Sequence, residues 1–170
     1  IGETGLDFNR NFSPPAAQEF AFQQQMALAA ELHKPLFCHQ RDAHARFVEM
    51  LREYRDQIER VVVHCFTDSR AALIEYLDLD CYIGITGWIC DERRGLELRH
   101  LAKLIPDDRL LLETDAPYLL PRNWVPKPAN RTNEPAYLPH ILREVADCQK
   151  RDAEALARDC LQNSCRFFDL

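Results

Sequence analysis

Glycine is scarce in this chain of 170 residues, with five in all, and none belongs to a GxGxxG or GxxxxGK[ST] loop. Because such loops wrap the phosphates of dinucleotides and nucleoside triphosphates, neither binding chemistry is expected. No apolar run approaches the roughly 18 residues of a membrane-spanning helix, so no membrane association is expected. Acidic residues outnumber basic ones by 27 to 21. The formal net charge of −6 argues against nucleic-acid binding over the whole surface but permits a local basic cleft.

The seven cysteines also exclude two classes of protein. Their number is odd and no CxxC pair occurs, which argues against a disulfide framework and against a four-thiolate zinc site. We interpret them as reduced thiols and expect a cytoplasmic protein. With 46% hydrophobic and 28% charged residues, the composition is that of an ordinary globular domain.

Short apolar runs alternate with helical patterns along the chain. Strands are predicted at 35–39, 61–66, 81–86 and 109–114, with residues 1–3 as the end of another. Helices are predicted at 14–33, from about 43, from 68 or 69 to 77, at 96–105, and from about 135 and 152. This alternation is typical of βαβ units, and it predicts an α/β fold with a parallel sheet and one domain over residues 1–170.

A proline-rich segment interrupts the alternation. Residues 116–139 hold six of the ten prolines. A loop of this length inside a compact domain is usually functional.

Polar side chains occur where the predicted strands end: Glu3, His39, His64 and Asp115. The carboxyl ends of parallel strands open on one face, where ligand sites form. Two imidazoles and two carboxylates on that face are suitable ligands for one or two divalent metal ions. A single histidine at a strand end is more often a hydrogen-bonded core residue, so the prediction depends on all four together.

Five motifs in chain order resemble those of the TatD-related metal-dependent deoxyribonucleases. They are GETGLD at 2–7, HQRDA at 39–43, HCFT at 64–67, ETDAPY at 113–118 and RTNEP at 131–135. Each motif alone is weak, but the set is specific and the similarity extends over essentially the whole chain. The resemblance implies a TIM-type (β/α)8 barrel of the amidohydrolase kind.

The resemblance also implies an activity and a set of metal ligands. The activity is hydrolysis of phosphodiester bonds with Mg²⁺ or Mn²⁺, or alternatively Zn²⁺, by an exonuclease that acts from the 3′ end of single-stranded DNA and in some members on RNA. Carried over to this sequence, Glu3, His39 and His64 are metal ligands. Glu3 takes the place that bridges two ions, and Asp115 is a ligand or the base that takes a proton from the attacking water.

Substrate binding is assigned by the same resemblance to Arg41, Arg131 and Asn133. Arg41 is expected to neutralise charge on the scissile phosphate. A basic rim for the phosphate backbone is expected from Arg122, Lys127 and Arg131 in or near the proline-rich segment. As an equal alternative, these three residues are solvated loop charges.

One departure from the family pattern is the absence of an HxH pair at the end of a first strand. Because the chain begins with Ile1 and holds about five strands, we expect an N-terminally truncated barrel that corresponds to about strands 4 to 8, since such barrels run to about 250 residues. Two alternatives to a nuclease stay open. One is a metal-dependent hydrolase of an amide or ester bond, on an aminoacyl nucleic acid or a small molecule, and the other is an inactive fragment.

Overall fold

The computed structural model describes residues 1–170. Its five strands are β1 (Thr4–Asp7), β2 (Leu36–Arg41), β3 (Val61–Val63), β4 (Tyr82–Ile85) and β5 (Leu110–Leu112). Its six α-helices are α1 (Pro15–Glu31), α2 (His44–Tyr54), α3 (Arg70–Asp78), α4 (Leu96–Leu101), α5 (Leu138–Gln149) and α6 (Ala153–Phe168). Every predicted helix is present, with ends that differ from the prediction by a few residues.

The strands are hydrogen-bonded in chain order, β1-β2-β3-β4-β5. The pairs from β1 to β4 are parallel, with Gly5 opposite His39, Cys38 opposite Val63, and Val63 opposite Ile83. The predicted α/β class with a parallel sheet is therefore confirmed. The chain divides into two compact units, residues 1–64 with 68–83, and residues 65–67 with 84–170.

The first strand lies later in the chain than predicted. Residues 1–3 are not a strand, although the backbone N–H of Phe37 donates to the Ile1 carbonyl at 2.8 Å. The regular ladder begins at Thr4, opposite Cys38. Within this strand, Gly5 has a φ of +141°, and a Cβ atom there would lie 1.9 Å from the carbonyl oxygen of His39. The position therefore requires glycine, which is not a residue that predicts a strand. Close approach of two backbones, and not an apolar pattern, determines this strand.

In the first unit, three helices bury aromatic side chains together. Phe22 of α1 stacks on Phe47 of α2 at 5.1 Å, and Phe47 meets the ring edge of Tyr76 of α3 at 5.9 Å. The start of α3 is fixed by Ser69, whose Oγ accepts the backbone N–H of Ala72 at 3.2 Å. This packing holds β1, β2 and β3 in place, and the candidate site lies beside these three strands.

Arg55 follows α2 and ties the ends of two helices in the first unit. Its guanidinium donates to the carbonyls of Ile58 and Leu79, and to the carbonyl of Asp80 at 3.2 Å. These carbonyls lie just beyond the ends of α2 and α3. One partly buried cation therefore satisfies acceptors in both segments.

In the second unit, α5 and α6 bury apolar stripes. On α6 the residues Leu156, Cys160 and Phe167 are buried. The predicted start of α6 is confirmed, since Asp152 accepts the backbone N–H of Ala155 at 2.9 Å. None of the helices combines the length and apolar character needed to cross a bilayer.

Asn163 is a buried polar residue within α6 of the same unit. Its Nδ2 donates to the carbonyls of Asp107 and Leu110, at 2.7 and 2.9 Å. The amide therefore ties α6 to the start of β5.

Candidate metal centre

Three of the four predicted metal ligands converge within the first unit. His39 lies within β2, opposite Gly5, and His64 directly follows β3. The backbone N–H of His64 donates to the Cys38 carbonyl at 2.9 Å, which keeps His64 in line with its neighbouring strand. Glu3 directly precedes β1 and does not follow a strand end as predicted.

The ligand atoms of these residues form a small triangle. Glu3 Oε1 is 2.9 Å from His64 Nε2 and 3.2 Å from His39 Nδ1. The two ring nitrogens are 3.3 Å apart. His64 is buried, with 6% of its side chain exposed, whereas His39 is 26% exposed. A cleft of about 580 Å³ opens beside Glu3 and His39, so solvent reaches this group.

The size of the triangle fits a metal ion. Ligands that bind a transition metal at about 2.1 Å lie about 3.0 to 3.4 Å from one another in octahedral or tetrahedral geometry. The three measured separations, 2.9, 3.2 and 3.3 Å, match that spacing. Two imidazole nitrogens and one carboxylate oxygen also suit a divalent ion such as Mn²⁺ or Zn²⁺. The residues present therefore fit a metal ion by distance and by donor type.

The side chain of Glu3 has the negative charge that an anionic metal ligand requires. Hydrogen bonding with the rings of His39 and His64 holds the pKa of its carboxyl far below the ordinary value, and this outweighs the opposing effect of partial burial. The group is thus a carboxylate at neutral pH. A positive charge or a proton must lie between it and the imidazoles, because three lone pairs at these distances repel one another.

Asp7, the last residue of the GETGLD motif, also belongs to the site, although the motif alone indicates no role for it. Its Oδ2 lies 3.1 Å from His39 Nε2, the ring nitrogen that faces away from Glu3. Burial raises the pKa of this carboxyl, but hydrogen bonds from the Arg10 backbone and the His39 ring bring it below the ordinary value. Period-2 alternation from Glu3 through Gly5 to Asp7 is the signal that places both carboxylates on one face of β1.

Asp115 belongs to the second unit, where it follows β5. Its backbone has a φ of +58°, and its carbonyl accepts the N–H of Tyr118 at 2.8 Å. Glu113, two residues earlier, accepts the backbone N–H of Cys65 at 3.0 Å and so fixes the turn after β3. The assignment of Asp115 as ligand or base stays a prediction.

The predicted substrate-binding residues differ in their surroundings. Arg41 and Arg131 are exposed. Arg122, predicted for a basic rim, is paired with Glu92 at 2.8 Å and lies 3.6 Å from Asp91, so its charge is largely neutralised.

Asn133 is 2% exposed and acts as a clamp within the proline-rich loop. Its Nδ2 donates to the carbonyls of Thr114 and Tyr118 at 2.7 and 2.6 Å, and its Oδ1 accepts the N–H of Glu134 at 3.0 Å. These bonds use the hydrogen-bonding groups that substrate binding would require. Its predicted substrate role stays untested, and its contacts are those of a structural residue.

A parallel α/β fold in which two histidines and a carboxylate meet beside β1, β2 and β3 defines a candidate metal-dependent enzyme of the α/β class. The family comparison is specific. The family described as TatD related DNase matches residues 1–169. The chain belongs to this family, and the resemblance recognised in the motifs is confirmed.

Curated relatives carry the same family name. A protein of Musicola paradisiaca named "3′-5′ ssDNA/RNA exonuclease TatD" is 58% identical over 170 residues, which are all of this chain and 64% of the relative. A protein of the same name from Klebsiella pneumoniae is 62% identical over 156 residues, 92% of this chain and 59% of the relative. The chain thus spans about three-fifths of the length of these relatives.

Solved structures support the same fold. YjjV, a TatD homolog from Escherichia coli, matches with a TM-score of 0.88 at 25% identity. The match covers all of this chain and 63% of the YjjV chain. An uncharacterized amidohydrolase from Saccharomyces cerevisiae matches with a TM-score of 0.86 at 23% identity, over 99% of this chain and 64% of the yeast chain. The second likeness concerns the fold alone.

Proposed function

We propose that this protein acts as a metal-dependent nuclease that removes nucleotides from the 3′ end of single-stranded DNA, and also of RNA. The observation that carries the proposal is the triangle of Glu3, His39 and His64, with ligand separations of 2.9 to 3.3 Å. Relatives at 58% and 62% identity are named 3′-5′ ssDNA/RNA exonucleases. Fold similarity at a TM-score of 0.88 also supports the interpretation of the five strands as part of a TIM-type (β/α)8 barrel.

Each ligand has a distinct role in this proposal. Glu3 supplies the negative charge that attracts a cation, and His64 and His39 supply neutral nitrogen ligands. A divalent ion held by these three residues would polarise the phosphodiester and lower the pKa of bound water. Mixed nitrogen and oxygen ligands favour Mn²⁺ or Zn²⁺, whereas Mg²⁺ prefers oxygen and is the third candidate.

Two further residues complete the proposed chemistry. Asp115 accepts the proton of the attacking water, or is a fourth ligand, as its place in the ETDAPY motif supports. Arg41 balances the charge that develops on the phosphate oxygens, and its exposure at the end of β2 makes it accessible to a polyanion. The odd number of cysteines, seven, supports a reducing, cytoplasmic location.

The test is digestion of single-stranded DNA labelled at its 5′ end, with Mn²⁺ and with Mg²⁺. A 3′ exonuclease produces a ladder of shortening labelled products, and a chelator stops it. We expect Glu3→Gln and His64→Ala to lower the rate by more than about 100-fold, because loss of outer partners of a metal site alone costs about 10- to 100-fold. His100→Ala, at an exposed histidine on α4, is the matched control and should retain the wild-type rate.

Three outcomes contradict the proposal. An intact ladder in Glu3→Gln excludes the triangle as the reactive centre. Immediate release of the 5′ label shows that digestion starts at the 5′ end and not at the 3′ end. Hydrolysis of aminoacyl esters or amides without phosphodiester cleavage favours the carbonyl hydrolase alternative.

A further inference from the structure

We infer that Asp7 is the positioning residue for His39: it holds the ring in the tautomer that presents an unprotonated Nδ1 to the metal. The inference rests on the proposed metal site. The contact that carries it is the 3.1 Å separation of Asp7 Oδ2 from His39 Nε2, on the opposite side of the ring from Glu3. A neutral imidazole carries one proton, and a carboxylate can only accept it. Glu3 also lies beside the ring, but its nearer donor is His64 Nε2, at 2.9 Å against 3.2 Å for His39 Nδ1. The proton of His39 is therefore placed on Nε2, 3.1 Å from Asp7, and the lone pair on Nδ1 faces the triangle.

Asp7 is itself fixed by contacts on both sides. Its Oδ1 accepts the backbone N–H groups of Asn9 and Arg10 at 3.1 and 2.7 Å. Gln18 of α1 binds its backbone twice, accepting the Asp7 N–H at 2.8 Å and donating to the Asp7 carbonyl at 3.1 Å. With 18% of its side chain exposed, the carboxylate has little freedom to leave His39. A continuous series of hydrogen bonds thus connects α1 to Asp7 and then to the His39 ring.

The arrangement is that of a carboxylate–histidine pair that orients a metal ligand. In such pairs the second ring nitrogen donates to a carboxylate, which fixes the tautomer and raises the basicity of the metal-binding nitrogen. Without Asp7 the proton of His39 is free to occupy Nδ1, where the carboxylate of Glu3 lies 3.2 Å away. That tautomer blocks the nitrogen that the metal requires. Asp7 therefore selects against a competing state of the site.

The discriminating variant is Asp7→Asn. Asparagine keeps one oxygen, and this oxygen can serve either the N–H groups of Asn9 and Arg10 or His39, but not both. The matched control is Asp42→Asn, which removes the same charge. Asp42 accepts the side-chain N–H of Asn9 at 2.7 Å, and its φ of +53° is one that asparagine tolerates. Because two backbone N–H groups compete with one ring N–H, we expect the oxygen of Asp7→Asn to stay with the backbone and its NH2 group to face His39. Asp42→Asn leaves the acceptor of His39 in place.

Two measurements are made on the full chain. The first is ¹⁵N NMR of the His39 ring in the metal-free protein at pH 8, and it is independent of any variant. The second is titration with Mn²⁺, in which binding is measured as loss of the EPR signal of the free ion. We expect protonated Nε2 in the wild type, a proton moved to Nδ1 in Asp7→Asn, and affinity for Mn²⁺ lower by about 10- to 100-fold. Asp42→Asn should keep the wild-type tautomer and affinity.

Each adverse result has a separate meaning. A protonated Nδ1 in the wild type overturns the inference directly, even if Asp7→Asn does not fold. Equal loss of affinity in Asp7→Asn and Asp42→Asn shows that charge alone matters, and also overturns it. A wild type that binds no Mn²⁺ overturns the metal site and the inference together.

Discussion

Asn133 gives a prediction that separates a structural role from a substrate contact. Asn133→Ala removes the two hydrogen bonds donated to the Thr114 and Tyr118 carbonyls, at 2.7 and 2.6 Å. An acceptor left without a partner in a buried position costs about 1–3 kcal/mol. Because loop carbonyls recover part of this from water, we expect the free energy of unfolding to fall by about 2–4 kcal/mol for the pair. At about 2–4 °C per kcal/mol for a chain of this size, Tm falls by roughly 4–16 °C.

The assay is urea unfolding, combined with amide hydrogen exchange across residues 113–134. Exchange should accelerate most around the clamp itself, since local opening there no longer breaks a side-chain bond. Asn130→Ala is the matched control, because Asn130 is exposed and its Oδ1 accepts only the nearby Thr132 N–H at 3.2 Å. It should change stability by less than about 0.5 kcal/mol. Wild-type stability in Asn133→Ala, together with a raised KM for single-stranded DNA, refutes the clamp and restores the substrate role.

Three further predictions concern the fold and the site. Arg55→Met should lower the free energy of unfolding by about 2–4 kcal/mol in urea titrations, because carbonyls beyond the ends of two helices lose their donor; a loss below about 0.5 kcal/mol contradicts this. Asn163→Ala should cost about 2–4 kcal/mol for the same reason, and Ser164→Ala is its neighbouring control. Because the pKa of Glu3 is lower in the folded than in the unfolded protein, its carboxylate stabilises the folded state above about pH 4.5, the ordinary pKa of this group. That stabilisation is lost as the pH falls through the depressed pKa. The urea midpoint of the wild type should therefore exceed that of Glu3→Gln at pH 6, and the difference should shrink towards pH 2; a constant difference argues against the link.

Much of the architecture could be predicted from local patterns. The apolar run that begins at residue 61 and the helix starts at 68 or 69 and at 152 follow from local patterns, and the structure confirms them, with caps at Ser69 and Asp152. The strand at Thr4–Asp7 could not be placed in this way. Its sequence is short and partly polar, and it is held by the close approach of Gly5 to the neighbouring backbone.

The candidate site shows the same division. The identity of Glu3, His39 and His64 as candidate ligands follows from their residue types and from the motifs that contain them. Their convergence does not, because Glu3 and His64 are 61 positions apart and meet only after three strands have paired in register. The substrate role of Asn133, which the RTNEP motif implies, stays a prediction, and the structure places its side chain against the loop backbone.

By itself the sequence determined the class of fold, the family and the chemical type of the ligands, since each depends on residue identity and spacing along the chain. Only the tertiary structure decided that three ligand atoms lie within 3.3 Å of one another, and that Asp7 faces the far side of the His39 ring. The physical reason is that hydrogen bonds and metal ligation depend on separations of a few ångströms. Strand register and helix packing set those distances, and they bring together residues that no local pattern connects.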